Sequence, residues 1–535
     1  MEFDYVIVGG GSAGSVLAAR LSENPSVTVC LLEAGGEGRD LAIRMPFGTI
    51  AMLRGKPRYN NWAFETEPQR EMNGRRGYQP RGKTLGGSSA INAMLYVRGH
   101  PSDYDRWADN GCTGWGWDDV LPWFRRSEAN ERGADSLHGD KGALQVGNQR
   151  TPRDLSMDFV RAGVEAGFKA NDDFNGPDQE GIGLYQVTQF WNGEKRGQRC
   201  SAAAAYLHPV TGRPNLHILT QSMATEVLFA DNRATGVRYL RNGALETVAA
   251  RREVILSGGA FGSPHLLMLS GIGPGDELRK AGIAVRYEAD GVGKNLQDHL
   301  DFIIASRSRE KDSVAINATG GIRLLKEYLR WRKDGTGLLA TPFAEGGAFL
   351  KSRPDLAVPD LQLHFVIGVL EDHARRLRWG HGFSTHMCVL RPFSRGTVGL
   401  KSRDPLAPPR IDPNFLSDPR DRQSMIDGVR VLKSIVDSPS LARHWVSDLY
   451  PLKDLSDDEI LRHIRARSDT IYHPVGTCRM GSDDQSVVDP DLRVRGIEGL
   501  RVVDASVMPT LIGGNTNAPT IMMAEKIADK MQRMG

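Results

Sequence analysis

Long apolar runs are missing from these 535 residues. None approaches the roughly 18 residues that a membrane-crossing helix needs. The opening "MEFDYVIVGG" is acidic and then strand-like. It lacks the basic start and cleavage site of a secretory leader. A soluble cytoplasmic protein is expected, with attachment to the inner face of the cell membrane left open. Cysteine is scarce: Cys30, Cys112, Cys200, Cys388 and Cys478 are odd in number, and no two form a CxxC pair. That excludes a zinc ribbon, argues against a disulfide framework and suits a reducing compartment. The thirteen histidines contain no HxxxH pair, so no metal is expected. Excess charge is also absent, with 68 basic and 65 acidic residues and a net charge of +3. A nucleic-acid partner would want a concentrated basic face, so none is expected.

Glycine, by contrast, is abundant. The 60 glycines make up about 11% of the chain, against an average near 7%. The excess implies tight turns and close backbone approaches. The most ordered cluster is "DYVIVGGGSAGSVLAARLSENPSVTVCLLEAGG". Tyr5 to Val8 reads as a strand, and Gly9, Gly11 and Gly14 form G-x-G-x-x-G. Val16, Leu17, Ala19 and Leu21 then recur at helical spacing, and a second strand ends in Glu33. Gly9 permits the turn, Gly11 admits a pyrophosphate against the backbone, and Gly14 lets the helix pack on the sheet. The helix N-terminus faces the phosphates, and Glu33 accepts from ribose hydroxyls. A free acid at that position argues against a 2′-phosphate. These residues leave NAD and FAD both open.

Two further Gly-rich segments follow, "PRGKTLGGSSAINAMLYVRG" at 80–99 and "GGAFGSPHLLMLSGIG" at 258–273. Near the end lie "TIYHPVGTCRMG" at 470–481 and "VVDASVMPTLIGGNTNAPTIMMAEKIAD" at 502–529. Taken alone, His473 is either a satisfied core imidazole or a base. With the N-terminal fold and "VGKNLQDH" at 292–299, these segments resemble the glucose–methanol–choline (GMC) oxidoreductases from end to end. The least distinctive stretch is about 300–465. Within that family the chain looks most like bacterial FAD-dependent primary alcohol and polyethylene glycol dehydrogenases.

The resemblance implies FAD rather than NAD. It also implies an α/β architecture: a Rossmann-like FAD domain (1–155, 205–300 and 468–535) interleaved with a substrate domain (156–204 and 301–467). The substrate domain is expected to have a mainly antiparallel sheet with helices. Cofactor contacts are implied at Gly9, Gly11, Ser12, Ala13 and Gly14, and at Glu33 and Ala34. Others are Gly86, Gly87, Ser88, Asn92, Ala93 and Met94 in the serine loop, and Val227. Asp504, Ala505, Asn517, Pro519 and Thr520 complete the set near the C-terminus. By resemblance His473 is the base that takes the alcohol proton while hydride leaves for flavin N5. Asn517, 44 residues on, orients the developing alkoxide. Glu345 in "PFAEGGAF" is a candidate for the substrate side, with a surface or packing role as the leading alternative. Cys478 is read as packing and His299 as structural, near the cofactor edge; His100, His208 and His265 have no partner that the sequence reveals. Ile91 stands where some members carry a flavin-tethering histidine, so FAD is expected to be non-covalent.

An uncharged primary alcohol with an extended chain is the expected substrate, and a quinone or another non-oxygen acceptor the expected electron sink. An oxidase, a choline dehydrogenase, a flavin-holding lyase and a light-driven decarboxylase remain as alternatives, the last disfavoured by the His–Asn pair. Choline would want aromatic faces, for which Trp62, Trp191, Trp331 and Trp379 are candidates. The segments at 321–335 and 372–382 combine basic and apolar residues, with Ile322, Leu325 and Leu329 on one helical face. They read first as ordinary amphipathic surface and second as a contact with an anionic membrane.

Overall fold

The computed structural model describes residues 1–55, 59–310, 313–314, 320–376 and 378–534. The segment at 372–382 therefore lacks Leu377, and the Ile322 side chain also lies outside what is described.

Two seven-stranded sheets organise the chain. The first has its strands in the order Leu216–Leu219, Val29–Leu32, Glu2–Val8, Ala244–Leu256, Arg233–Arg241 and Ser222–Ala230; Leu500–Val502 pairs the far half of Ala244–Leu256. The strand Glu2–Val8 is buried from Phe3 onward and runs parallel to both neighbours, with Val8 level with Leu32 and Leu256. Leu256 is in turn level with Val502. This shared register brings Gly9, Glu33, Ser257 and Asp504 to one edge of the sheet, beyond the carboxyl ends of the strands, where open α/β sheets bind ligands.

Helix Ser12–Leu21 buries eight of its ten residues and packs against the C-terminal helix Asn517–Met534. Arg20 Nε and Nη2 each donate to a carboxylate oxygen of Glu525 at 2.9 Å, and Tyr206 Oη donates to Glu525 Oε1 at 2.8 Å. A fork of this kind fixes the two helices more firmly than a single contact would. As a result Ser12 and Asn517, at the two N-termini, meet at the sheet edge.

The second sheet is antiparallel throughout, in the order Trp445–Asp448, Leu300–Ser308, Gly382–Val389, Leu361–Val366, Ala344–Leu350 and Gly181–Leu184. Helices Asp154–Glu165 and Pro419–Val436 cover one face with Leu155, Phe159, Val429 and Leu432, against Phe302, Leu361 and Leu363. Each fully buried side chain of this kind stabilises the fold by ~2 kcal/mol. The other face turns His364, Val366 and His386 toward a cavity. Strands of the first sheet fall within the three segments expected for the FAD domain. Those of the second fall within the segments expected for the substrate domain, except that Leu300 and Asp469–Thr470 belong to this sheet as well. The pairing of Asp469–Thr470 with Leu300–Asp301 carries the following residues, through His473, to the mouth between the sheets.

Candidate active site

The cavity between the sheets measures about 1500 Å³. This exceeds the usual range for a small ligand and suits a dinucleotide together with a substrate. Gly9 has φ +100, and a Cβ there would stand 2.5 Å from the Ser257 carbonyl oxygen. A Cβ on Gly14 would overlap the Gly9 carbonyl, so the helix seats against the turn only because both positions are glycine. A Cβ on Gly11 would meet nothing nearer than Gly87 Cα and the Ser257 carbonyl oxygen, both at 3.9 Å. The Glu33 carboxylate accepts from Gly10 N–H at 2.9 Å and Gly35 N–H at 2.7 Å. Burial pushes its pKa up, and these N–H groups oppose the shift.

The serine loop meets this turn backbone to backbone: a Cβ on Gly87 would stand 2.7 Å from Gly11 Cα. Gly86 at φ +89 turns the chain into the loop without lining the cavity. Arg199 clamps the far end, donating to Asn92 O at 2.6 Å, Asn92 Oδ1 at 2.7 Å and Ile43 O at 3.0 Å. Among the described residues no carboxylate pairs with it, and burial pulls its pKa down to about 9. Ser12, Ala13, Ala34, Ser88, Asn92, Ala93, Met94, Ala505 and Thr520 all line the cavity. Asp504 lines it too, with Oδ2 accepting from Gly259 N–H at 2.8 Å and Ser263 Oγ at 2.6 Å.

Val227, Pro519 and Glu345 lie away from the cavity wall. Val227 is buried in the core with its N–H bonded to Ser270 Oγ, while the preceding residues Gln221 to Ala224 line the cavity. Pro519 is buried within the first turn of the C-terminal helix and shapes that terminus without facing the cavity. Glu345 does not line the cavity. Its carboxylate accepts from Arg153 N–H at 2.8 Å, Ser156 Oγ at 2.7 Å and Thr341 Oγ1 at 2.8 Å. It therefore holds the N-terminus of helix Asp154–Glu165, where a negative charge is favoured.

His473 stands at the cavity wall, 8% exposed. The preceding Tyr472 has φ +76, a costly conformation for a bulky residue. The strain is held by Tyr472 N–H on Thr470 Oγ1 at 2.7 Å and by Arg81 Nη2 on the Tyr472 carbonyl at 2.8 Å. The His473 N–H bonds Asp298 Oδ1 at 2.9 Å. The ring touches His299 Nδ1 through its own Nδ1 at 3.0 Å, and Asn515 Nδ2 through Nε2 at 3.2 Å. Burial, followed by His299, His364 and Arg81, holds its pKa well below the usual histidine value, so it is neutral near pH 7. A buried, neutral imidazole with one ring nitrogen toward the cavity can act as a base.

Asn517 is not the residue bonded to this ring. Its Oδ1 accepts from Ser12 Oγ at 2.7 Å and so joins the two helix N-termini. The asparagine beside His473 is Asn515, 42 residues on, whose Oδ1 accepts from Gln362 Nε2 at 2.9 Å. His299, expected to be structural, contacts the catalytic candidate directly. His265 lines the cavity, whereas His100 caps helix Pro101–Asp109 and His208 meets the Glu37 carbonyl. Cys478 is buried, with its thiol pushed to higher pKa, as a packing residue would be.

Against known proteins, GMC oxidoreductase family models match residues 3–301 and 392–524. An alcohol dehydrogenase (acceptor) of Pseudomonas putida is 50% identical over 99% of this chain and 96% of its own length. An oxygen-dependent choline dehydrogenase of Burkholderia pseudomallei is 45% identical over 99% and 94%. Among solved structures, pyridoxine 4-oxidase from Mesorbium loti superposes with a TM-score of 0.88 at 32% identity, covering 99% of both chains. A formate oxidase variant from Aspergillus oryzae gives 0.91 at 28%, covering 100% and 98%. The glycine cradle and the Glu33 carboxylate fit FAD. With both halves of the family pattern matched, this chain belongs to the GMC oxidoreductases and is an FAD-dependent oxidoreductase.

Proposed function

We propose that the protein oxidises an uncharged primary alcohol to its aldehyde, with His473 taking the hydroxyl proton at Nε2 and Asn515 Nδ2 donating to the developing alkoxide. FAD, when bound, supplies the acceptor for the two electrons that leave with the carbinol hydrogen. The carrying observation is the neutral His473 ring with Asn515 at its cavity-side nitrogen. Gly9, Gly11 and the start of helix Ser12–Leu21 hold the pyrophosphate, Glu33 the ribose, and the serine loop and Asn517–Thr520 the ring end. Ile91 lines the cavity with no nucleophilic atom, so FAD is held non-covalently; acid precipitation that carries the flavin down with the chain contradicts this.

Phe343, Val366, Leu370 and Ile471 give the substrate side an apolar wall that suits an alkyl or polyether chain. A choline cage is poorly supported. Of the four tryptophans considered, only Trp62 lines the cavity, and Lys83 Nζ already sits 4.4 Å from its ring centroid. The acceptor is proposed to be a quinone reached at the inner membrane face. Helix Gly320–Asp334 exposes Leu324, Leu325 and Leu329 beside Lys326, Arg330, Arg332 and Lys333, and Trp379 is 70% exposed. Among the described residues no helix is long and apolar enough to cross a membrane. Such a face can rest on anionic lipid.

The test is anaerobic flavin bleaching over alkanols, polyethylene glycols and choline, followed by reoxidation with a soluble quinone or with oxygen. Fast bleaching by uncharged alcohols and faster reoxidation by quinone are expected. Bleaching by choline alone, or faster reoxidation by oxygen, contradicts the substrate or the acceptor respectively. Sedimentation with anionic but not neutral vesicles tests the membrane contact, and no sedimentation contradicts it.

A further inference from the structure

The contacts around His473 decide which of its ring nitrogens carries the proton. His299 Nε2 lies 2.9 Å from the Leu390 carbonyl oxygen, which can only accept, so this nitrogen bears hydrogen. His299 is fully buried, and burial holds its pKa down to about 4, so the ring is neutral and its Nδ1 is bare. The 3.0 Å contact between His299 Nδ1 and His473 Nδ1 is then a hydrogen bond only if His473 Nδ1 is the donor. A neutral His473 has no second proton, which leaves Nε2 unprotonated and able to accept.

A separate chain reaches the same nitrogen from the other side. Tyr185 Oη donates to the Leu363 carbonyl at 2.7 Å and accepts from Gln362 Nε2 at 3.1 Å. That Gln362 nitrogen also donates to Asn515 Oδ1 at 2.9 Å. The Asn515 amide is thereby oriented with Nδ2 toward His473 Nε2, at 3.2 Å, a contact that requires an acceptor there. Gln362 and Leu363 lie on the strand Leu361–Val366, and Leu390 directly follows its antiparallel neighbour Gly382–Val389. Two carbonyls, one within this sheet and one just past a strand of it, therefore dictate the state of a ring carried by a different segment. Free histidine side chains favour the opposite neutral tautomer, so the fold must impose this one.

We propose that His299 and Gln362 are positioning residues that lock His473 as the tautomer with Nδ1 protonated and Nε2 bare toward the substrate. The proposal rests on the reading of His473 as the base, and its test separates the two. In the FAD-loaded enzyme with nitrogen-15 in its histidine rings, assigned by comparison with His473→Gln, the His473 Nε2 signal should fall at the unprotonated position. This readout does not depend on activity. His299→Phe should move the proton toward Nε2 and slow anaerobic flavin reduction by about tenfold or more, the direction a lost tautomer lock produces. His299→Asn, whose amide oxygen can accept from His473 Nδ1, should recover most of that rate. Gln362→Leu should shift the same signal if His299→Phe does not fold. A protonated Nε2 in the wild-type enzyme overturns the proposal. So does a folded, FAD-loaded His299→Phe enzyme that reduces at the wild-type rate, or a His299→Asn enzyme as slow as His299→Phe. If His473→Ala reduces normally while the wild-type tautomer is as stated, the base assignment fails and the lock stands.

Discussion

Truncating the two asparagines at 515 and 517 to alanine, one at a time, should give different defects. Asn515→Ala removes the amide 3.2 Å from His473 Nε2. The ring keeps its 3.0 Å tie to His299, and Gln362 Nε2 keeps Tyr185 Oη at 3.1 Å. The fold should therefore lose only about 1 kcal/mol, the scale of one exchanged hydrogen bond. A donor aimed at developing negative charge is worth more, about 10²–10³ in rate. The expected result is flavin reduction slowed by about two orders of magnitude, with FAD content and substrate affinity little changed. Asn517→Ala instead leaves Ser12 Oγ without its acceptor at the meeting of the two helix N-termini. At ~1 kcal/mol, FAD retention should weaken by about fivefold, while the loaded fraction reduces at close to the wild-type rate. Anaerobic stopped-flow bleaching, with FAD content measured on the same samples, reads both effects. The reverse pattern, slow reduction in Asn517→Ala and normal reduction in Asn515→Ala, would refute the placement of these residues.

Gly14→Ala should purify without FAD, because its methyl group overlaps the carbonyl of Gly9, itself pinned against Ser257; full FAD occupancy contradicts this. Glu345→Ala orphans three donors around the start of helix Asp154–Glu165 and should cost about 2 kcal/mol, a melting shift of about 2 °C in a chain of this size, with flavin reduction unchanged. A selective loss of reduction rate would return Glu345 to the substrate side. Because the pKa of His473 is lowered, its proton-free form persists below the ordinary value of about 6.5 and is lost only in stronger acid. The rate of flavin reduction should therefore hold steady as pH falls through 6.5, and an acid limb centred there or higher contradicts the assignment.

The glycine turn and its flanking elements were legible in the sequence because their constraints are local. Strand, glycine turn, helix and terminal acid follow one another within 33 residues, and Gly9 and Gly14 each answer a close backbone approach that the structure contains. His473 could be read as a candidate from its segment and its family resemblance. The choice between two asparagines two positions apart could not, because it depends on how one loop crosses the cavity before the helix begins. Glu345 could not be placed from the sequence for a related reason. Its strand is buried on both faces, so burial alone does not say which face carries the cavity. His299 reaches His473 across 174 residues, and Arg199 reaches Asn92 across 107. No local pattern encodes such pairs. They follow from the pairing of Leu300–Asp301 with Asp469–Thr470 and from the packing of the serine loop.

The central claim is that His473 takes a proton from an alcohol while FAD takes the electrons. Single-turnover bleaching of the flavin by a primary alcohol, in the wild-type enzyme and in His473→Ala loaded with FAD, tests it most directly. Rapid bleaching of the wild type is expected, with a rate at least about a hundredfold lower in the variant, the scale of lost acid–base catalysis. Bleaching of the variant at the wild-type rate, with an unchanged flavin spectrum, would contradict it.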